Sequence, residues 1–425
     1  MTSPNCEMFV GLDFGATFSK MTVIRRNGDS YATVYEDAIP TVLTRDATSQ
    51  TIQYPHFQSL HHHSTSNDLE FFKLALMEPE AYRKGCSESK LVDLMATELS
   101  KLAKSGMRYT DVTAIFLKGF WDKMSNTVSK NRCQCQFHHM NVAVTYPSCW
   151  NEYELGRLQM AVNAAGIPSE TRKVCYMTEQ AAASFGVLDE YREKLPGGLQ
   201  EGDSMMVIDG GGLTVDSAIY KLKQNRNGNW IVGELVDEES FVYGTKSMDL
   251  GFEALLSEKL ERTVVPASLN RKHIEREARR EWSSSKRLGL EFQRLDFFQR
   301  GMTINADEGE FHFGIHQDGV FSILEEAVNR VVGVVTRFSE TAKHRNTTPK
   351  ALFLTGGFFR TKWIAVDVEQ KVKSALGDGF LVIPSPKNQE LSRTRPLSDY
   401  HCLDVLPNRM IVARGAAHWL CQNGN

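Results

Sequence analysis

Hydrophobic and polar positions form the same short pattern twice along the chain, in residues 9–24 and in residues 205–220. In each stretch a run of apolar residues ends in an acid, Asp13 or Asp209, and a turn that contains glycine follows. Alternating apolar positions then resume after the turn. This order of features predicts a strand, a tight turn and a second strand. The sequence therefore predicts two similar β-hairpins.

Helical and extended patterns alternate through the rest of the chain. Apolar residues recur at helical spacing in residues 91–102, 150–165 and 321–338, which predicts helices with one buried face. Residues 141–147 form an apolar run that ends in proline, and residues 353–357 begin with another apolar run. Both runs predict buried strands. Taken together, the pattern predicts an α/β protein.

Composition and charge narrow the class of protein. A chain of 425 residues, 41% hydrophobic and 24% charged, is too long for one ordinary core and suggests two lobes or several subdomains. Its net charge of −3 gives no reason to expect nucleic acid or an anionic membrane as a partner. No apolar run approaches the roughly 20 residues of a membrane span, and residues 1–7 do not resemble a signal peptide. We therefore expect a cytoplasmic protein with reduced cysteines.

The two glycine turns carry the residue types that phosphate binding uses. Glycine lets backbone N–H groups approach an anion with no Cβ in the way. Asp13 precedes the first turn, and Asp209 and Asp216 flank the second. Carboxylates in such places suit a hydrated Mg²⁺ beside phosphate oxygens. A plain hairpin turn is the alternative for either stretch alone, whereas two such hairpins can hold one phosphate chain from both sides.

Five segments, in order along the chain, carry a family resemblance. They are residues 9–24, 178–186, 205–220, 352–360 and 412–417. Each resembles a motif of the actin-like ATPases, and within them of the seventy-kilodalton heat-shock chaperones. The first and third segments resemble the phosphate hairpins, and the fourth resembles the adenosine motif. The second and fifth resemble the helices that connect the two lobes.

The resemblance implies an actin-like ATPase fold, which is an α/β architecture of two lobes with a nucleotide cleft between them. Each lobe is expected to hold a mixed five-stranded sheet with flanking helices. Lobe I would span residues 1–200, with a small inserted subdomain at about 40–137. Lobe II would span residues 201–425, with another at about 246–334. ATP and Mg²⁺ are the implied cofactors, at the bottom of the cleft.

The same resemblance implies roles for individual residues. Asp13, Asp209 and Asp216 would hold the hydrated metal, and Asp13, Lys73, Glu179 and Asp209 would take part in catalysis. Contacts to the nucleotide are implied for Gly15, Ala16, Thr17, Lys20, Gly210, Gly211, Gly212, Leu213, Thr214, Gly244, Lys286, Arg287, Gly356, Gly357, Phe358 and Arg360.

Some of these residues have an ordinary structural alternative. Lys73 stands among apolar residues, where it can be a helix lysine that reaches solvent. Glu179 begins an alanine-rich segment, where an acid is favoured by the helix dipole. Lys286 and Arg287 follow a dense run of mixed charges, so they can equally be solvated helix charges.

The chain departs from the chaperone pattern at four places. Ala16 replaces the first of two threonines in the first turn, and in the second turn the glycine triplet is shifted one place toward Asp209, so that Leu213 follows it. Gln180 stands where the chaperones typically have a proline that is thought to switch between nucleotide states. Ser283 stands where they usually have glutamate. Because the metal-side acids are retained, Mg-ATP binding with slow hydrolysis is expected.

Three functions remain open from the sequence. The first is a chaperone-like ATPase whose lobe closure regulates a partner protein. The second is an ATP-dependent enzyme that phosphorylates or activates a small molecule in the cleft, with Asp209 or Glu179 as the base. The third is a non-catalytic nucleotide-sensing scaffold. The sequence after Gly415 leaves no room for the chaperones' peptide-binding domain, which counts against a complete foldase, and fold alone does not decide function.

Overall fold

The structure is a computed structural model of the 425-residue chain. It describes residues 6–28, 30–46, 51–54, 68–77, 89–104, 106–130, 140–167, 174–191, 200–225, 228, 230–266, 269–287, 302–306, 309–315, 317–347, 349–377, 380–383 and 407–423. Among the helices of these ranges, none is long and apolar enough to cross a membrane.

The described part combines strands and helices throughout. Its strands are β1 (Cys6–Asp13), β2 (Phe18–Asn27), β3 (Ser30–Pro40), β4 (Val42–Arg45), β5 (Ile52–Gln53), β6 (Asp68–Glu70), β7 (Met140–Tyr146), β8 (Val174–Thr178), β9 (Ser204–Gly210), β10 (Val215–Gln224), β11 (Trp230–Phe241), β12 (Met302–Ala306), β13 (Gly309–Phe313), β14 (Pro349–Thr355) and β15 (Leu381–Ile383). Its α-helices are α1 (Ser89–Lys104), α2 (Tyr109–Lys130), α3 (Glu152–Ala164), α4 (Glu179–Tyr191), α5 (Thr245–Glu261), α6 (Arg271–Arg287), α7 (Gln317–His344), α8 (Lys362–Leu376) and α9 (Pro407–Asn423). Two short 3₁₀ helices are Phe72–Leu76 and Phe358–Arg360.

Two five-stranded mixed sheets share one topology. The first has the order β3-β2-β1-β7-β8, and the second has the order β11-β10-β9-β14-β15. In each, an antiparallel meander of three strands is extended by two parallel strands. The two predicted hairpins are β1–β2 and β9–β10, so each occupies the same place in its sheet. The predicted α/β class, with mixed sheets and flanking helices, is confirmed.

Smaller elements are inserted after each meander. Between β3 and β7 the chain forms the three-stranded sheet β5-β4-β6, a 3₁₀ helix and helices α1 and α2. Between β11 and α7 it forms helices α5 and α6 and the β12–β13 hairpin. The helices predicted at residues 91–102, 150–165 and 321–338 are confirmed as α1, α3 and α7.

A capping box fixes the start of α3. The Asn151 side chain accepts a hydrogen bond from the backbone N–H of Tyr153 at 2.7 Å. In return the Glu154 carboxylate accepts from the backbone N–H of Asn151 at 2.9 Å. These bonds satisfy donors that the first turn of a helix otherwise leaves unpaired. The helix therefore begins at a defined point, just after the loop that leads out of β7.

Helices α4 and α9 connect the two halves of the molecule. We call each five-stranded sheet, with the elements packed around it, one half. Helix α4 follows the first sheet but also packs against β9, β10 and β11, while α9 follows the second sheet and packs against β1, β2 and β7. The helices meet at two glycines. A Cβ added to Gly415 would lie 1.8 Å from the carbonyl oxygen of Ala182, and one added to Gly186 would lie 2.3 Å from that of Ile411. Side chains of both sheets and both helices form one apolar cluster, so the halves share a core.

Candidate active site

The turns of the two hairpins meet. Thr17, between β1 and β2, contacts Gly212, between β9 and β10, because a Cβ on Gly212 would lie 2.1 Å from Thr17 Oγ1. Thr41 holds the first turn in place. Its backbone N–H donates to the carbonyl oxygen of Thr17 at 2.9 Å, and its hydroxyl donates to that of Gly15 at 2.8 Å. The structure thus brings together the two stretches that were predicted to face one phosphate chain.

Asp13 ends β1 and is buried beside a lysine. The ammonium group of Lys20 donates to Asp13 Oδ2 at 2.5 Å. The two residues are opposite each other in the β1–β2 register, which places their side chains on one face of the sheet. Burial lowers the pKa of Lys20, but the carboxylates of Asp13 and Asp209 outweigh it, so the net pKa is raised. Lys20 is therefore a stable positive charge that acts on an acid from each hairpin.

Lys73 forms a buried ion pair with Glu179. Its Nζ lies 2.6 Å from Glu179 Oε1, and 4% of the residue is exposed. The rings of Phe14 and Trp150 lie 5.7 and 5.5 Å from the same nitrogen. Phe71, with a left-handed φ of 55°, turns the chain into the 3₁₀ helix that carries Lys73. The alternative of a lysine that reaches solvent is therefore wrong.

Asp209 and Asp216 face each other across the second hairpin. They are opposite each other in the β9–β10 register, and both are buried. The hydroxyl of Thr355, at the end of β14, donates to Asp209 Oδ1 at 2.8 Å. The hydroxyl of Thr214 donates to Asp216 Oδ2 at 2.8 Å. Each predicted metal-side acid of this hairpin is therefore held in place by a neighbouring hydroxyl.

Glu179, at the start of α4, and the acids of the two hairpins act on one another. Burial raises the pKa of Glu179 to about 7, even beside its lysine partner, and raises that of Asp209 to about 6. Burial also raises the pKa of Asp216. The charge of Asp13 adds to all three shifts, so the four carboxyl groups form one cluster. When all are ionised, the four acids outnumber the two lysines, and a bound cation would compensate the difference.

A hydrated divalent cation fits this cluster. Mg²⁺ keeps several of its waters when bound, and its charge would favour the ionised form of buried carboxyl groups. Over the described ranges, no group of three or more His, Cys, Asp or Glu side chains is placed to coordinate an ion directly. Contacts from Asp13, Asp209 and Asp216 to a hydrated cation therefore stay a prediction.

Glycines of the predicted nucleotide site pack closely on one another. A Cβ on Gly356, which has a φ of +86°, would lie 2.4 Å from the carbonyl oxygen of Gly210, and one on Gly244 would lie 2.4 Å from that of Gly212. A Cβ on Gly210 would in turn lie 2.5 Å from the Cβ of Phe358. The close packing at these positions is by itself enough to require glycine. The segment after β14 is thereby seated directly on the turn of the second hairpin.

Ala16 and Leu213, where the two turns depart from the chaperone pattern, lie in one apolar cluster. Leu213 is buried against Phe71 and Leu74, and Ala16 packs at the edge of the same cluster. We call this set of residues the bridging cluster, because it joins the second hairpin turn to the segment that carries Lys73. Its members are far apart in the sequence, so no local pattern predicts that they meet.

The structure describes the remaining residues that were predicted to contact the nucleotide to different extents. Phe358 is buried, Arg360 is half-buried and Gly357 is exposed. Lys286 and Arg287 end helix α6, and their side chains lie outside the described part of the structure. Contact between these two residues and a base therefore stays a prediction.

The raised carboxyl pKa values predict how stability depends on pH. The ordinary pKa values of Glu179 and Asp209 are 4.5 and 3.8, so between those values and about 7 and about 6 the folded protein holds protons that the unfolded chain has released. The free energy of unfolding of the nucleotide-free protein should therefore fall as pH rises from about 4 to about 7. Urea titrations across this range will measure the slope.

The double variant Glu179→Gln/Asp209→Asn is expected to flatten that slope, since neither amide titrates. Asp122→Asn, at an exposed acid of α2, is the matched control and should leave the slope unchanged. Equal slopes in the wild-type protein and the double variant would contradict the assignment of the two groups.

Comparisons with known proteins do not add to this geometry, since no family model and no curated protein matches the chain. A buried cluster of acids and lysines at two touching glycine turns can bind a polyphosphate with its cation and can stabilise charge that develops on phosphate oxygens.

Proposed function

We propose that the protein binds Mg-ATP between its two halves, hydrolyses it slowly and uses the closure of the halves to regulate a partner protein. The observation that carries the proposal is the buried cluster formed by Asp13, Lys73, Glu179, Asp209 and Asp216. These residues come from both halves of the molecule and from distant parts of the chain. Acids for a hydrated cation, with a lysine beside them, are the groups that phosphoryl transfer uses.

The topology supports an actin-like ATPase fold. Two sheets of the same strand order, joined by two crossing helices, are the arrangement that the five sequence motifs imply. The segments that resemble the phosphate hairpins form β1–β2 and β9–β10, and the segments that resemble the connecting helices lie in α4 and α9, which supports the proposal. Within that fold, we propose a divergent relative of the heat-shock chaperone ATPase domain.

The residues of the cluster have distinct roles in this proposal. Asp13 and Asp209 would hold waters of Mg²⁺, and Asp216 would support the second turn through Thr214. The cation would offset charge on the β- and γ-phosphates. Lys73, which is paired with Glu179, would stabilise charge that develops on the γ-phosphate.

Closure of the halves is the proposed output. Thr17 and Gly212 touch in the structure, so a phosphate chain that passes between the turns requires them to separate. A nucleotide bound by both hairpins then links its own state to the angle between the halves. In this proposal the halves turn about the α4–α9 crossing, and the bridging cluster is a contact between the halves that their separation would break.

Partner capture in different nucleotide states tests this output. Purified protein with Mg-ATP or Mg-ADP is expected to retain a partner in one state and to release it in the other. Stimulation of ATP consumption by a metabolite would instead favour an enzyme that acts on a small molecule. Tight ATP binding without turnover, and with the same partner in both states, would favour a nucleotide-sensing scaffold.

A further inference from the structure

Gln180 is a buried polar residue at the centre of the candidate site. It is the second residue of α4, directly after Glu179, and 1% of it is exposed. Its side-chain Nε2 lies 2.6 Å from Ser148 Oγ and 3.5 Å from Asp216 Oδ1. The side chain therefore links α4 to the loop after β7 and to the second hairpin. A proline, as in the chaperones that the sequence resembles, cannot form these contacts.

The amide oxygen of Gln180 has no hydrogen-bond partner among the described residues. An ionised carboxylate accepts hydrogen bonds and donates none. The amide nitrogen of Gln180 is therefore the atom that faces Asp216, and the amide oxygen is directed elsewhere. Leaving a buried acceptor unpaired costs about 1–3 kcal/mol. The indole N–H of Trp150 is also buried and without a partner among those residues, and its loop also carries Ser148. Trp150 lies beside Lys73 and Gln180 lies beside Asp216, so each residue offers a bound water one polar atom that the protein leaves unpaired.

The hydrolysis proposed above requires a water that is held in a defined orientation. We propose that the amide oxygen of Gln180 binds and orients the water that attacks the γ-phosphate of ATP. This inference rests on the proposed function. A side-chain amide is suited to the task because it accepts one O–H of the water and leaves a lone pair on the water oxygen for attack.

The step balances without any further reagent. The water oxygen forms a bond to the γ-phosphorus as the bond from that phosphorus to the bridging oxygen breaks. ADP leaves with the electron pair of the broken bond, and the proton of the water passes to an oxygen of the new phosphate. Gln180 exchanges no proton in the step, so its role is to position the water.

The test compares turnover with binding of a transition-state analogue. Gln180→Leu removes both polar atoms, and it is expected to lower the rate of ATP hydrolysis by about tenfold to a hundredfold. Affinity for ADP with aluminium fluoride, in which a water occupies the attacking position, should fall by a similar factor. Affinity for ADP alone should stay within about twofold. Gln370→Leu, at an exposed glutamine of α8, is the matched control and should change none of these values.

Gln180→Pro provides a second variant, because proline lacks both amide atoms and is tolerated better in the first turn of a helix than in its interior. It should reproduce the effects of Gln180→Leu. Normal turnover and normal affinity for the aluminium fluoride complex in both variants would overturn the inference, and so would an equal loss of ADP affinity. If the wild-type protein neither binds nor hydrolyses ATP, the proposed function itself fails, and the inference fails with it.

Discussion

Replacing Lys73 with methionine is expected to lower ATP turnover by about a hundredfold. The methionine keeps the length of the side chain but removes the ammonium group that lies 2.6 Å from Glu179. No other cation is paired with that carboxylate in the described residues. Loss of one partner of a buried ion pair typically destabilises a protein by about 3–5 kcal/mol. Steady-state hydrolysis and urea unfolding will measure the two effects.

A double variant separates chemistry from stability at this position. In Lys73→Met/Glu179→Gln neither side chain is charged, so much of the lost stability should return, while turnover should stay low. Lys118→Met, at an exposed lysine of α2, is the matched control and should behave as the wild-type protein does. Normal turnover in Lys73→Met would remove the lysine from the mechanism.

Gly415→Ala is expected to have the largest effect on stability of any single-methyl change discussed here. Its new Cβ would lie 1.8 Å from the carbonyl oxygen of Ala182 and 2.5 Å from the backbone nitrogen of Gly186. Both atoms belong to the backbone of α4, so only a shift of a whole helix can relieve the clash. Overpacking of this kind costs about 1–3 kcal/mol or more. Because α4 begins at Glu179, the shift should also lower ATP turnover.

A second helical glycine provides the matched control. Gly156 lies within α3, and a Cβ there would meet nothing within 4 Å. Gly156→Ala should therefore stabilise the protein by up to about 1 kcal/mol, because alanine favours a helix more than glycine does. Thermal or urea unfolding of both variants will show opposite signs. A similar loss of stability in the two variants would mean that the helix crossing is not the cause.

The two hairpins were predictable because their signals are local. In each, an apolar run, an acid and a glycine turn stand within sixteen residues, and β1–β2 and β9–β10 form where that pattern occurs. Pairing across each hairpin then follows from register alone, as for Asp13 with Lys20 and Asp209 with Asp216. Local patterns therefore specified both the strands and the acids of the candidate site.

The contacts that complete the site were not predictable in the same way. The sequence left two interpretations of Lys73. Only the burial of its side chain against Glu179, which lies 106 residues further along the chain, excludes a lysine that reaches solvent. The bridging cluster shows the same limit. Ala16 and Leu213 look like separate departures from a phosphate-loop pattern, yet they pack in one apolar contact. Such contacts depend on how the halves meet, which no local periodicity encodes.

Binding and turnover of Mg-ATP test the central claim most directly. Purified wild-type protein and Asp209→Asn, which retains an acceptor for the Thr355 hydroxyl, should be compared by calorimetric titration and by release of phosphate. We expect the wild-type protein to bind Mg-ATP and to hydrolyse it slowly, and we expect Asp209→Asn to lose hydrolysis by about a hundredfold. If the wild-type protein shows no binding of Mg-ATP, the buried cluster serves the fold alone, and the proposed function is wrong.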